Sequence, residues 1–363
     1  MRVLYLGNFH DAFCTEWQVA RALGRLGHEV TTLDTQGSTY RSIFAAAETG
    51  YDLLLFAKAQ FREASGTWPG AADAVVRMIE AVRPHVPRIV CWLWDLMCEE
   101  FSPPRWQWLT RIAAASDMCA LTDGVSAGRL PNAVVIRDGC PDDVEWDCEW
   151  TVELRGDVLF LGSVYGDRPR LLDALGRRLE GDMEIRRRWG GRFSRGDMEI
   201  RRRWGDRFSR GDVGIRNRLT IVTHGVRGPA LTRLVRGHRL VVGPHYPCHP
   251  GYWSDRLTVV TGHGGLFAGP TIEGMQADGW KPGTNYLGLS AEPNAMVEQV
   301  VGYLEGDEGT RRRCGDGIPK EGTSADTLDT IRRAGFEHVK GKCGWDGRIR
   351  ELLGCLRRRC ERS

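Results

Sequence analysis

The sequence predicts an α/β protein made of two Rossmann-like domains facing a central cleft. Three observations carry this. At 363 residues the chain exceeds what one hydrophobic core usually supports, and 42% apolar residues is enough for two. Short continuous apolar runs alternate with stretches of helical periodicity, the pattern of buried parallel strands joined by crossover helices. The alternation stops in a charged stretch at 147–156 and then restarts. The expected layout is therefore a first domain over 1–146, a linker over 147–156, a second domain over 157–340 and a helical tail over 341–363.

The elements follow in order. RVLYLG, residues 2–7, is an apolar strand ending in glycine. The loop NFHDAFC leads into an amphipathic helix over 15–26, and Gly27 stops it. HEVTTLD (28–34) and YDLLLFAK (51–58) are the next strands, and residues 71–82 repeat apolar side chains at helical spacing. RIVCWLWD (88–95) and DMCALTD (117–123) complete the first series, and Arg137-Asp138-Gly139 is a structural turn that closes the domain. The second series has strands at DVLFLG (157–162), LTIVTHG (219–225), HRLVVG (238–243), GGLFAG (264–269) and TNYLGLS (284–290). Its helices fall at 170–179 and 294–304, and the Arg-rich stretch 324–360 is mostly helical.

Composition excludes several classes. The formal charge of +3 is too small to argue for a polyanionic partner by itself. The eleven cysteines include no CxxC pair, and Cys91, Cys98, Cys140 and Cys148 form no zinc ligand set, so a reduced cytoplasmic protein is expected. No run of 18 apolar residues occurs and the first residues lack a leader pattern, so no membrane partner is expected.

One segment breaks the pattern. GDMEIRRRWGGRFSR (181–195) is followed by GDMEIRRRWGDRFSR (196–210), differing only at Gly191 against Asp206. Each copy holds five arginines, and together they contribute +5, so the rest of the chain stands at −2. One reading is an arm that touches phosphates, with Trp189 and Trp204 stacking on bases. The other is a tandem duplication tolerated in a surface loop.

The stretch HYPCHPGYWSDRLTVVTGHGGLFAGP, residues 245–270, carries the first candidate site. Pro250-Gly251 is a turn, Tyr252 and Trp253 follow, and Ser254 is placed to cap a short helix starting at Asp255. Arg256 brings a fork of donors suited to phosphate oxygens. Asp255 either favours the helix start or holds Arg256, and Gly264-Gly265 implies close backbone approach. Gly162-Ser163 with Arg168 forms a second donor set after the first strand of that domain. A phosphate ligand at these donors would bring negative charge to them. Oriented donors stabilise that charge with no obligatory metal. For a base acting on an acceptor hydroxyl, the first domain offers His10 and Asp11 after its first strand and Asp95 after its fourth. Of Trp92 and Trp94, at least one belongs in the core and the other can line a platform.

These residues resemble a GT-B glycosyltransferase of the CgeB-like, group 1 type. The family's Y-S-D-R-V-x-E-x-x-G-x-G-G-F-L segment stands here as Tyr252-Trp253-Ser254-Asp255-Arg256-Leu257 with Gly262, Gly264, Gly265 and Leu266, then Pro270. One residue is inserted between the tyrosine and the serine. FLGSVYGDRPRLLDAL (160–175) is similar to the family's strand, Gly loop and helix, and the resemblance spans most of the chain. It implies a nucleotide-sugar donor held by the second domain, a nucleoside diphosphate product and an acceptor on the first. Two departures stand out. The family's helix glutamate, a ribose contact, is Val259 here, with Glu273 past Pro270 as the replacement candidate. The family's C-terminal His-Thr is absent, and Cys343-Gly344-Trp345-Asp346 occupies that region.

The acceptor stays open between a hydroxymethylated base in phage-type DNA and a small molecule, protein or polysaccharide. The Arg-Trp repeat and Arg357 to Arg359 favour DNA, whereas the slightly acidic remainder of the chain does not. An inactive sugar-nucleotide-binding scaffold and a sugar-nucleotide epimerase are the alternatives from other classes.

Overall fold

The apolar runs become the inner strands of two parallel sheets. In the computed structural model, residues 1–9, 12–57, 68–100, 102–146, 156–164, 166, 168–180, 218–223, 226–244, 248–305 and 325–361 are described. Two compact units emerge. One comprises Met1–Asp142, Pro250–Tyr252 and Cys343–Ser363, and the other Asp143–His249 with Trp253–Lys342.

The first unit is built on β1 (Arg2–Gly7), β2 (Glu29–Asp34), β3 (Leu53–Phe56), β4 (Ile89–Leu93), β5 (Met118–Leu121) and β6 (Ala133–Val135), in the order β2-β1-β3-β4-β5-β6. Every pairing is parallel, with Leu6 beside Phe56 and Phe56 beside Cys91. β3, β4 and β5 are buried at every position, which is why they read as unbroken apolar runs. The crossovers are α1 (Thr15–Arg25), α2 (Tyr40–Ala47), α3 (Trp68–Val82), α4 (Pro103–Ala115) and the single turn α5 (Gly124–Gly128). Gly27, at φ 81°, ends α1 as expected.

Periodicity did not mark α2, α4, α5 or β6. α2 starts from a capping box between Thr39 and Ser42, a serine version of a motif normally closed by Glu or Gln. α4 opens on two prolines and interleaves Arg105, Gln107 and Arg111 with its buried residues, so its apolar stripe is thin.

The second unit has β7 (Gly156–Leu161), β8 (Leu219–Val222), β9 (His238–Val242), β10 (Phe267–Pro270) and β11 (Leu287–Leu289), ordered β11-β10-β9-β7-β8 and again all parallel. Its helices are α6 (Arg168–Glu180), α7 (Gly228–Arg236), α8 (Arg256–Gly262), α9 (Pro293–Glu305) and α10 (Ala325–Lys342). Val158, Phe160, Leu240, Val242 and Leu287 face α6 and α9 in one core.

The last helix, α11 (Trp345–Cys360), belongs to the first unit rather than forming an appendage. It buries Trp345, Ile349, Leu352 and Leu356 with Val3, Tyr5 and Trp92. Each such side chain is worth about 1.5–3 kcal/mol. Backbone bonds from Cys140 N to Cys343 O (2.9 Å) and from Trp345 N to Cys140 O (3.1 Å) fix its start. Gly139 lies under the Trp345 ring, where a Cβ would come within 2.5 Å of Cδ2. The Arg137-Asp138-Gly139 turn is thus structural. Among the described residues, no helix is long and apolar enough to cross a membrane.

Candidate functional site

The strand order places the site. In the second sheet β7 has β8 on one side and β9 on the other, so the crossovers diverge between β7 and β9. At such a switch point the space beyond the strands' carboxyl ends is open to a ligand. β7 runs out there into Gly162, whose φ of 120° is closed to other residues, and whose N–H bonds Val222 O at 2.9 Å.

Arg256, the first residue of α8, lies directly on that glycine. A Cβ on Gly162 would come within 2.7 Å of Arg256 Nε and 2.9 Å of Nη2. The guanidinium carbon sits 6.0 Å from the centre of the Phe160 ring. Arg256 Nη1 is buried and has no hydrogen-bond partner among the described residues. The two donor sets recognised separately in the sequence therefore meet here. A half-buried guanidinium with an unused N–H, beside a glycine that lets backbone approach, can take a phosphate oxygen.

α8 starts one residue later than expected, at Arg256, with Asp255 in the N-cap position and no hydrogen bond from the Asp255 side chain to the helix. Asp255 already has helical angles (φ −47°, ψ −25°), and Ser254 Oγ accepts from Arg256 N at 3.3 Å. The Ser254 hydroxyl donates to Asp255 Oδ1 at 2.9 Å. Asp255 is exposed and, among the described residues, makes no ion pair with Arg256, so it supports the cap rather than holding the guanidinium.

The other expected donor residues also make contacts within the protein. Arg168 is 2% exposed and donates from Nη1 to Ser163 O at 2.8 Å, so it pins the loop after β7. Gly264 and Gly265 form the helix stop of α8. Gly264 N bonds Thr261 O and Gly265 N bonds Val260 O, each at 2.9 Å, and Gly264 takes φ 78°. A Cβ on Gly265 would reach 2.9 Å from Val260 Cγ1 and 3.0 Å from Val235 Cβ. The close approach that Gly265 allows is to α7 and α8. Glu273 is exposed on the turn after β10, and its carboxylate takes no hydrogen bond among the described residues. Tyr252 is half-buried and groups with the first unit, while Ser254 groups with the second.

His263, which the sequence did not single out, anchors the far end of α8. It is 3% exposed. Its N–H bonds Val259 O at 3.0 Å, Nδ1 lies 2.8 Å from Thr232 Oγ1, and its carbonyl accepts from Arg236 Nε at 3.1 Å. Burial, then the Lys340 and Arg236 charges, lowers its pKa from 6.5 to about 4, against a smaller opposing pull from Asp143.

In the first unit, Asp95 stands half-buried just past β4, at the carboxyl edge where a base was expected. His10 and Asp11 lie outside the described residues, as do the repeat 181–210 and residues 147–155. Trp92 is 1% exposed and packs in the core, while Trp94 is half-buried. Glu16, in the first turn of α1, was not anticipated. It is 8% exposed, and its Cγ lies where a Cβ on Gly7 would be, 2.7 Å away.

No family model and no curated protein matches the chain. Solved structures do. HepE of Anabaena, in complex with UDP-glucose, aligns with a TM-score of 0.66 and 12% identity over 98% of this chain and 99% of that one. Sucrose-phosphate synthase of Thermosynechococcus elongatus aligns at 0.67 and 11% over 100% of both chains. An α-glucosyltransferase in complex with UDP and DNA containing an HMU base aligns at 0.63 and 8% over 98% of this chain and 99% of that one. At these identities the likeness gives the fold, that of GT-B glycosyltransferases.

Proposed function

We propose that this chain is a glycosyltransferase that moves a sugar from a nucleoside diphosphate sugar to an acceptor hydroxyl. The observation that carries the reading is the Arg256 guanidinium seated on Gly162 at the switch point of the second sheet. In the transfer the acceptor oxygen bonds to the anomeric carbon. The bond from that carbon to the diphosphate oxygen breaks, the nucleoside diphosphate leaves with the electron pair, and the hydroxyl proton passes to a base. Arg256 stabilises the charge gathering on the leaving diphosphate, with Ser254 fixing the helix that carries it. Asp95 is the base assigned here, because its carboxylate stands half-buried just past β4, at the strand ends where ligands of parallel sheets bind. His10 and Asp11 are the remaining candidates. UDP or UDP-glucose bound to structural neighbours supports the donor class.

The test is nucleoside diphosphate affinity with turnover of the nucleotide sugar. Arg256→Ala loses a charge-assisted contact worth about 1.5–3 kcal/mol, roughly a tenfold to hundredfold drop in affinity. Asp95→Asn keeps affinity and lowers turnover. Unchanged UDP affinity in a folded Arg256→Ala chain removes the donor assignment.

A hydroxymethylated DNA base is one reading of the acceptor. The Arg-Trp repeat favours it, and so does the neighbour crystallised with DNA carrying an HMU base. A non-catalytic scaffold would bind the nucleotide sugar without consuming it, and an epimerase would change the sugar with no acceptor present.

A further inference from the structure

The first sheet carries an unusual group of buried polar atoms. One residue past the row Leu6–Phe56–Cys91 come Gly7, Ala57 and Trp92, at the carboxyl ends of three adjacent strands. Strand alternation puts Tyr5, Ala57 and Trp92 on one face, under α1 and α11, in a single cluster with Phe9, Trp94 and Trp345. The rings form two edge-to-face sets. Tyr5 meets Phe9 at 5.2 Å, and Trp92 meets Trp94 and Trp345, each at 5.8 Å.

Within this group Tyr5 Oη, Asn8 Oδ1, Trp92 Nε1 and Trp94 Nε1 are all buried with no hydrogen-bond partner among the described residues. Tyr5 is 0% exposed and Trp92 1%. Each orphaned group costs about 1–3 kcal/mol, so folded proteins rarely leave several together. The Glu16 carboxylate adds an acceptor that takes no hydrogen bond among the described residues. Burial, with the nearby Glu16 and Cys14, holds the Tyr5 hydroxyl well above its usual pKa, so it stays a donor at neutral pH. Asn8, Phe9 and Trp94 are only half-buried and form the edge of the group at the strand ends.

We infer that Tyr5, Asn8, Glu16, Trp92 and Trp94 form a binding site for a neutral saccharide, the acceptor of the proposed transfer. The chemistry selects that class. Two indole N–H groups donate, Asn8 Oδ1 and Glu16 accept, and Tyr5 does either, which matches hydroxyls that both donate and accept. The half-buried Phe9 and Trp94 rings add aromatic surface of the kind that lines ligand sites. The set holds one carboxylate and no cation, so it disfavours a phosphate backbone. This inference names the acceptor of the reading above and rests on it, but saccharide binding can be read without the donor.

The experiment uses the full chain and intrinsic tryptophan fluorescence, with glucose, maltose, sucrose and cellobiose as probes, UDP as donor control and a duplex carrying hydroxymethyluracil as competitor. A saturable response to at least one saccharide without nucleotide is expected. Glu16→Gln weakens it about tenfold. Tyr5→Phe also weakens it, while the melting temperature holds or rises because an orphaned hydroxyl is gone. A merely structural hydroxyl would lower the melting temperature and leave affinity unchanged, which overturns the site. If UDP binds and no saccharide does, the saccharide site is overturned and the donor reading stands. A response to the duplex alone overturns it in favour of DNA. Saccharide binding that both variants weaken, with no UDP binding, upholds the site and removes the donor reading.

Discussion

Arg256 and Gly162 act as one feature, and a single methyl separates two effects there. Gly162→Ala forces a residue with a Cβ into φ 120° and drives that atom to within 2.7 Å of Arg256 Nε. Backbone strain alone costs about 1–3 kcal/mol. Gly27→Ala is the control, because Gly27 also has a positive φ (81°) but nothing lies within 4 Å of its added Cβ. Both variants lower the melting temperature, and only Gly162→Ala also weakens UDP binding. Equal UDP affinity in the two variants would separate Arg256 from the diphosphate. Both partners were legible in the sequence, but only as separate sets, because their contact depends on how β7 and α8 meet. The helix stop at Gly264-Gly265 was not legible as such, because a left-handed helix stop and a ligand contact ask for the same residue type. Glu16 gave no signal, since an acid in a first helical turn is ordinary.

α8 is only seven residues long, too short to hold itself, so its ends carry it. Ser254 Oγ accepts from Arg256 N at the start and His263 closes the end. That makes acid sensitivity a property of this element. His263 stays neutral when folded, at about 4, against 6.5 when unfolded. The unfolded chain therefore binds the extra proton between those values. The stabilising contribution is complete above pH 6.5 and is lost as pH falls toward 4, amounting to roughly 3 kcal/mol by linkage. Urea unfolding of the wild type and His263→Asn from pH 7.5 to 4 reads it, and the wild-type curve should fall more steeply. Parallel curves would place the acid sensitivity elsewhere. Legibility differed by element for a related reason. Inner parallel strands announce themselves because both faces are buried, whereas α4, whose few buried residues are interrupted by Arg105 and the exposed Arg111, carries too thin an apolar stripe to read.

At the scale of the whole molecule, charge is concentrated in one place. The repeat 181–210 supplies +5 to a chain whose total is +3. It falls between α6, which ends at Glu180, and β8, which begins at Leu219. Connections of this kind normally take about two to six residues. Excising 181–210 still leaves the eight residues 211–218 to join them, so the deleted chain is expected to keep its melting temperature and its UDP affinity. The repeat's partner, if it has one, carries phosphates. With the repeat intact, duplex binding should weaken steeply with salt. Each neutralised phosphate contributes about 0.9 to the log–log slope, so deletion should flatten that slope by several contacts. A sugar acceptor on the first unit and a DNA-binding repeat make opposite demands on this comparison. If saccharide binding survives the deletion and DNA binding disappears, the repeat is an accessory surface and the acceptor is the saccharide. If the two chains give superimposable DNA titrations across salt, the repeat has no role in DNA binding. Loss of folding on deletion would show that 181–210 contributes to the core of the second unit.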